Sequence, residues 1–240
     1  VDNISFHVKK GEIVGFSGLQ GAGRTELAMS LFGKSYGSKI SGQEFINGKE
    51  VHLKNEQDAI LHGLAYVTED RKTNGLVLDE SIAKNTTMAR MNKIASRRGI
   101  INVAKENKVA QEFVDVMRTK TPSVQQKVGN LSGGNQQKVL LSKWMFAEPD
   151  VLFLDEPTRG IDVGAKHEIY CIMNDMVKEG KAVVMISSEL PELLGMCDRI
   201  YIMHEGRMTG ELEASEATQE KIMSTILQSG NSERNRGTKS

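Results

Sequence analysis

Residues 18–25 carry the spacing that most constrains the fold, a Gly-x-x-x-x-Gly stretch followed by Arg24 and Thr25. An apolar run at residues 13–16 precedes it, and a helical pattern at residues 24–32 follows it. Glycines let such a loop curl so that successive backbone N–H groups point at phosphate oxygens, and the helix presents its positive end to the same anion. We therefore predict a strand, a phosphate-binding loop and a helix. The alternative is an ordinary strand–turn–helix whose glycines serve packing.

The loop offers particular ligands to a nucleotide. Thr25 supplies a hydroxyl for Mg²⁺, and Arg24 stands where this pattern usually has Lys. Arginine neutralises phosphate, but its planar fork is not interchangeable with an ammonium group. The predicted nucleotide contacts here are Gly18, Leu19, Gln20, Gly21, Ala22, Gly23, Arg24, Thr25 and Glu26.

A second apolar run, residues 151–154, leads directly into two carboxylates, Asp155 and Glu156. In open α/β sheets, ligands bind at the carboxyl ends of the strands. We therefore predict that Asp155 holds Mg²⁺ and that Glu156 orients or deprotonates the attacking water. The alternative is a solvated acidic turn before Pro157.

A third motif, Leu-Ser-Gly-Gly at residues 131–134, opens a helical stretch. Average composition gives this tetrapeptide in about one chain in a hundred of this length. Ser132 and the exposed N–H groups of the helix start form a predicted anion seat. The alternative is a loop with Ser132 as the helix N-cap.

These three motifs, in this order and spacing, resemble the nucleotide-binding domain of an ABC ATPase. The segments at residues 68–71, 164–166 and 187–192 narrow the resemblance to the second half of the tandem ATPases of bacterial monosaccharide importers. The resemblance implies ATP hydrolysis with Mg²⁺. It adds nucleotide contacts from the signature segment, namely Leu131, Ser132, Gly133, Gly134, Asn135 and Gln136, and from Asp162.

The implied fold is an α/β P-loop NTPase with a RecA-like core sheet, an antiparallel β edge and an inserted α-helical subdomain. Alternating strand and helix patterns independently favour a mostly parallel sheet covered on both faces. We assign residues 1–80 and 148–228 to the ATP-binding core, residues 81–147 to the helical subdomain, and residues 229–240 to a disordered tail. Residues 4–8 alternate apolar and polar side chains, which predicts a further strand.

Three positions depart from the family pattern. Besides Arg24, Glu69 stands where a Gln usually senses Mg²⁺ and water, and Ser188 stands where a His usually contacts the γ-phosphate. The resemblance makes Glu156, Ser188 and Glu69 the catalytic candidates, and Thr25, Asp155 and Glu69 the Mg²⁺ candidates. All three departures belong to the pocket of this chain's own phosphate loop, whereas the signature is intact. We expect this pocket to bind nucleotide but hydrolyse it slowly, and the signature to complete a faster site on a partner domain.

The implied partners are an N-terminal ABC domain of the same polypeptide, membrane permease subunits and, indirectly, a periplasmic sugar-binding protein. The implied location is the cytoplasmic face of the bacterial inner membrane. Nucleic acid is not expected as a partner, because 31 basic and 31 acidic residues leave the chain without net charge. Two rivals stay open, a catalytically silent nucleotide-binding clamp and a soluble ABC ATPase unconnected with transport. The motifs do not identify the sugar.

Overall fold

The computed structural model describes residues 1–237, with side chains described through residue 228. By density of internal contacts the chain divides into two units. The core unit comprises Val1–Tyr66, Val151–Glu156 and the residues from Asp175 onward. The helical unit comprises Val67–Asp150 and Pro157–Asn174.

The core unit is built on a six-stranded sheet. Its strands are β1 Ile13–Gly18, β4 Leu64–Val67, β5 Val151–Asp155, β6 Ala182–Ile186, β7 Arg199–His204 and β8 Arg207–Glu213. Their order across the sheet is β4-β5-β6-β1-β7-β8. Strand β1 pairs in parallel with β6 and β7, β5 pairs in parallel with β6, and β7 pairs antiparallel with β8. The sheet is therefore mostly parallel with an antiparallel edge, as the sequence predicted.

Two strands of the sheet are buried along their whole length. All five residues of β6 and all four of β4 are buried, as expected for strands covered on both faces.

A separate hairpin joins β2 Glu44–Ile46 to β3 Lys49–Val51. Its turn residues, Asn47 and Gly48, have φ angles of 51° and 75°, and this left-handed pair is typical of a two-residue hairpin turn.

Among residues 1–237, the helices of the core unit are α1 Arg24–Leu31, α2 Glu56–Leu61, α7 Leu190–Met196 and α8 Gln219–Gly237. The Asn55 side chain accepts a hydrogen bond from the Asp58 N–H at 2.9 Å, so it caps α2. The backbone is helical as far as Gly237, where the sequence led us to expect a disordered tail over residues 229–240. Residues 238–240 lie outside the described residues.

The strand predicted at residues 4–8 is wrong. These residues form no strand, and the backbone of His7 is bound by side chains rather than by a neighbouring strand. Arg199 Nη2 donates to the His7 carbonyl oxygen at 2.9 Å, and the His7 N–H donates to the Tyr201 hydroxyl at 3.4 Å. Alternation of apolar and polar residues does not reveal such partners.

The helical unit contains α3 Ile82–Thr87, α4 Val103–Val116 and α5 Gly133–Phe146, together with a π-helical turn, Arg71–Gly75. Helix α3 packs against both α4 and α5. Helix α6, Val163–Lys178, begins in this unit and ends in the core unit. No helix among residues 1–237 combines the length and the apolar character that crossing a bilayer requires.

Candidate functional site

The predicted phosphate loop lies in the core unit between β1 and α1. Gly23 is the N-cap of α1 with φ of 92°, in the left-handed region that favours glycine. A Cβ at Gly18 would lie 2.5 Å from the Met203 carbonyl oxygen. Both positions therefore need glycine for the loop to close in this form. The loop residues Leu19, Gln20 and Gly21 are exposed, and Glu26 lies in the first turn of α1.

The turn between β7 and β8 holds the phosphate loop in place. The sequence did not predict this contact. The Gly206 N–H donates to the Ala22 carbonyl oxygen at 3.0 Å, and the Ala22 N–H donates to the Leu19 carbonyl oxygen at 3.0 Å. The Asp2 N–H donates to the Gly206 carbonyl oxygen at 2.8 Å. A Gly in a strand–turn pattern was the only sequence signal available, and it is too common to identify such a contact.

Thr25 and Asp155 meet at the carboxyl end of β5. The Thr25 hydroxyl donates to Asp155 Oδ2 at 2.6 Å, and the Tyr66 hydroxyl donates to the same oxygen at 2.9 Å. Asp155 is 1% exposed. A hydroxyl and a carboxylate are hard oxygen ligands of the kind that Mg²⁺ prefers, so the residues present fit this ion. The sequence missed Tyr66, although its place at the end of β4 beside β5 could have indicated it.

Residues 1–228 contain no cluster of three or more His, Cys, Asp or Glu side chains that could hold a metal. A Mg²⁺ ion bound with phosphates needs no such cluster, because it uses one or two carboxylates, phosphate oxygens and water.

Glu156 follows directly and has a strained backbone. Its φ is 46°, and its N–H donates to the Ile186 carbonyl oxygen at 2.8 Å. The Ser188 hydroxyl donates to Glu156 Oε2 at 3.1 Å. Burial raises the pKa of Glu156, although the Ser188 hydrogen bond and the Arg24 charge oppose this rise. A carboxylate with a raised pKa is a better proton acceptor, which suits a general base.

The Arg24 side chain reaches the segment that contains Ser187 and Ser188. Its Nη1 donates to the Ser187 carbonyl oxygen at 2.8 Å. Two of the three departures from the family pattern, Arg24 and Ser188, are thus brought together beside Glu156. The Arg24–Ser187 contact was not predicted, since the sequence does not reveal where a long flexible side chain ends.

The signature segment lies in the helical unit at the start of α5. Ser132 occupies the N-cap position, but its side chain accepts no hydrogen bond from the helix backbone. Instead Asn135 Nδ2 donates to Ser132 Oγ at 2.9 Å, and the Lys120 N–H donates to Asn135 Oδ1 at 2.9 Å. Ser132 is therefore not a conventional side-chain cap. Asn135 orients its hydroxyl.

A cavity of about 250 Å³ opens beside this segment. Its lining residues are Lys120, Ser132, Gly134, Asn135, Lys138, Asp162, Gly164, Ala165 and Glu168. Asp162 Oδ1 accepts from the Ala165 N–H at 3.0 Å, which fixes the start of α6. Lys138 Nζ lies 2.5 Å from Glu168 Oε2. The structure thus places Asp162 beside the signature. Its contact with nucleotide stays a prediction.

The remaining predicted residues of the helical unit have different surroundings. Gln136 is buried, and its Nε2 donates to the Leu131 carbonyl oxygen at 3.2 Å, so both residues are placed to support the motif. Glu69 is exposed and precedes the π-helical turn. Their roles toward nucleotide stay predictions.

Residues 1–159 match the family model described as "ABC transporter". The chain is 58% identical over 234 residues to the L-arabinose transport ATP-binding protein AraG of Geobacillus stearothermophilus, covering 96% of this chain and 45% of that protein. It is 53% identical over 223 residues to the xylose import ATP-binding protein XylG of Geobacillus kaustophilus, covering 93% and 44%. The chain therefore spans less than half the length of these relatives.

A solved nucleotide-free ATP-binding cassette from an ABC transporter superposes with a TM-score of 0.76 at 18% identity, covering 95% of this chain and 88% of that one. This likeness shows the fold.

Proposed function

This chain belongs to the ABC transporter family and has the fold of its ATP-binding cassettes, and from this membership we propose that it is an ATPase domain, dependent on ATP and Mg²⁺, that energises the import of a monosaccharide across the bacterial inner membrane. The named functions of the two sugar-transport relatives support the substrate class. The segments at residues 68–71, 164–166 and 187–192 support a place in the C-terminal half of a tandem protein.

The contact that carries the ATPase proposal is the one between Thr25 and Asp155, because it joins the phosphate loop to the carboxyl end of β5. The loop N–H groups bind the phosphates. Thr25 and Asp155 hold Mg²⁺, which when bound neutralises phosphate charge. Glu156 accepts a proton from the attacking water, and Ser188 orients that carboxylate through its hydroxyl.

We propose further that this pocket hydrolyses ATP slowly and that the signature completes the partner domain's site. The Arg24 guanidinium is bonded to the Ser187 carbonyl oxygen, and a serine at position 188 cannot carry the positive charge of a histidine. Glu69, when ionised, accepts hydrogen bonds but cannot donate them. The signature, in contrast, keeps its glycines and an oriented Ser132 hydroxyl.

Two variants of the complete polypeptide, assayed with its permease for transport-coupled ATPase activity, test this division. We expect Ser132→Arg to abolish activity, because the side chain fills the anion seat, and Glu156→Gln to leave most of it. Ser224→Arg, at an exposed serine of α8, is the matched control. Activity that survives Ser132→Arg but disappears with Glu156→Gln would overturn the division of labour.

A catalytically silent clamp is the second candidate, and the bond between Arg24 and Ser187 favours it. Single-turnover hydrolysis by the complete polypeptide, with each phosphate loop disabled in turn, separates the two. If the loop of this chain alone supports no hydrolysis, the clamp is correct.

The proposed partners are an N-terminal ABC domain on the same polypeptide, permease subunits and, through them, a periplasmic sugar-binding protein. The proposed location is the cytoplasmic face of the inner membrane. Genes for a permease and a sugar-binding protein beside the gene of this chain would support a role in transport. If such genes are absent and the protein hydrolyses ATP in solution, a soluble ATPase would be supported instead.

A further inference from the structure

The π-helical turn Arg71–Gly75 begins two residues after Glu69. Asp70 caps it, since Asp70 Oδ1 accepts from the N–H groups of Lys72 and Thr73, each at 3.1 Å. Helical turns of the π type are rare in proteins. The capping fixes the backbone from which the Arg71 side chain departs.

The Arg71 guanidinium lies where three segments of the helical unit meet. Its Nη1 donates to the Arg159 carbonyl oxygen at 2.9 Å. A Cβ at Gly133, the first residue of α5, would lie 2.8 Å from Arg71 Nη2 and 3.3 Å from the Gly160 carbonyl oxygen. The guanidinium therefore packs against the signature backbone while it holds the loop that leads to Asp162.

The other end of the turn is attached to the same helix. Lys143 Nζ donates to the Gly75 carbonyl oxygen at 2.8 Å, and this ammonium group is buried. A Cβ at Gly75 would lie 3.0 Å from a Leu140 methyl carbon. The turn thus contacts α5 at its first residue and again ten residues later, so the turn and the helix form one packed element.

We propose that Arg71 is a positioning residue for the signature, which it holds in register with the loop at residues 159–162. This inference rests on the proposed function, in which the signature completes a partner domain's ATP site. The planar fork of arginine donates in one direction while its face packs in another, which a lysine ammonium cannot reproduce. A displaced signature makes weaker contacts with the bound nucleotide, and a loss of such uniform binding raises KM.

The test uses the complete polypeptide with its permease, and it measures kcat and KM for Mg-ATP together with the thermal unfolding midpoint. We expect Arg71→Gln to lower kcat/KM about tenfold, which corresponds to about 1.4 kcal/mol. Most of this loss should appear in KM, because the signature binds nucleotide less well. Arg71→Lys, which keeps the charge and most of the stem, should recover part of it. Lys72→Gln, at the exposed neighbouring position, should behave as the unchanged protein.

The outcomes separate this inference from the function on which it rests. If Ser132→Arg abolishes activity while Arg71→Gln and Arg71→Lys keep full kcat/KM, Arg71 has no positioning role and only the inference fails. If Ser132→Arg is harmless, the proposed function fails. A fall in kcat alone, matched by a lower unfolding midpoint and equal in both Arg71 variants, shows a purely structural role and also overturns the inference.

Discussion

Arg199→Met should destabilise the core unit by about 3–5 kcal/mol, the usual cost of leaving one member of a buried ion pair unpaired. Arg199 is 2% exposed. Its guanidinium donates to both carboxylate oxygens of Glu12, at 2.9 and 3.2 Å, and to Glu211 Oε1 at 2.5 Å. It also donates to the Tyr201 hydroxyl at 2.6 Å and to the His7 carbonyl oxygen at 2.9 Å.

Most of the expected loss of stability comes from the Glu12 carboxylate, which would be left buried without its partner. Methionine fills most of the volume of the arginine stem, so the cavity contribution is small. Glu211 is half exposed and regains water, whereas Glu12 stays buried. We therefore expect Glu12→Gln, added to Arg199→Met, to restore part of the loss, with a coupling energy of at least about 1 kcal/mol.

The effect depends on pH with a definite sign. Burial alone would raise the pKa of Glu12, but hydrogen bonds from Arg199 and from the Lys9 N–H, with the Arg199 charge, hold it below the usual value. A lowered folded-state pKa contributes stability above the unfolded pKa, near 4.5, and this contribution is lost as pH falls through the folded pKa. In Arg199→Met burial remains, opposed only by the N–H and the charge of Lys9. The stability gap between the two proteins should therefore narrow on acidification.

The assay is urea unfolding of residues 1–240 at pH 7 and at pH 4. The matched control is Arg207→Met on the same hairpin, where Arg207 pairs with Asp2 at 3.2 Å and both side chains are exposed. That variant should change stability by less than about 1 kcal/mol. If Arg199→Met falls within 1 kcal/mol of this control, or if the gap does not narrow at pH 4, the buried network does not stabilise the core unit as argued.

Two further predictions concern other parts of the chain. Gly18→Ala should weaken nucleotide binding at least about tenfold, because its Cβ would collide with the Met203 carbonyl oxygen. Gly195→Ala is the control, since a Cβ there would meet nothing within 4 Å. Equal nucleotide affinities of the two variants, measured by titration, would contradict the steric argument. Burial lowers the pKa of Lys143 from 10.5 to about 8, so the unfolded chain binds more protons between these values and stability should rise with pH across that window. Lys143→Met should remove this slope in urea midpoints measured from pH 8 to 10.5, and an unchanged slope would exclude Lys143 as its source.

The sequence predicts the buried strands best. The sequence has unbroken apolar runs at residues 64–67 and 182–186, and β4 and β6 cover these same residues. The bounds match because a strand covered on both faces is apolar at every position. The strand predicted at residues 4–8 is wrong, and the backbone of His7 is bound instead by side chains almost 200 positions away. Alternation is a local pattern and carries no information about such distant contacts.

The candidate site also contains some contacts that the sequence predicts and others that it does not. Topology predicts that Thr25 and Asp155 approach each other, since Thr25 follows β1 and Asp155 ends β5. Both strands are parallel to β6, so their carboxyl ends lie at the same edge of the sheet. The contacts of Arg24 and Arg71 could not be predicted, because a long side chain has many rotamers and only packing selects one. Both arginines stood inside recognisable motifs, yet only the structure gave them partners.

The distribution of contacts also explains how the phosphate loop can change while the signature keeps its geometry. Ser132 is oriented by Asn135, which is held in turn by Lys120, and Arg71 packs against the first residue of α5. Each of these partners belongs to the helical unit. Arg24 and Ser188 bond instead within the core unit, to the Ser187 carbonyl oxygen and to Glu156. A substitution at either of these two positions therefore removes none of the contacts that shape the signature. A domain built in this way can lose hydrolytic speed in its own pocket and still present an ordered signature to another nucleotide.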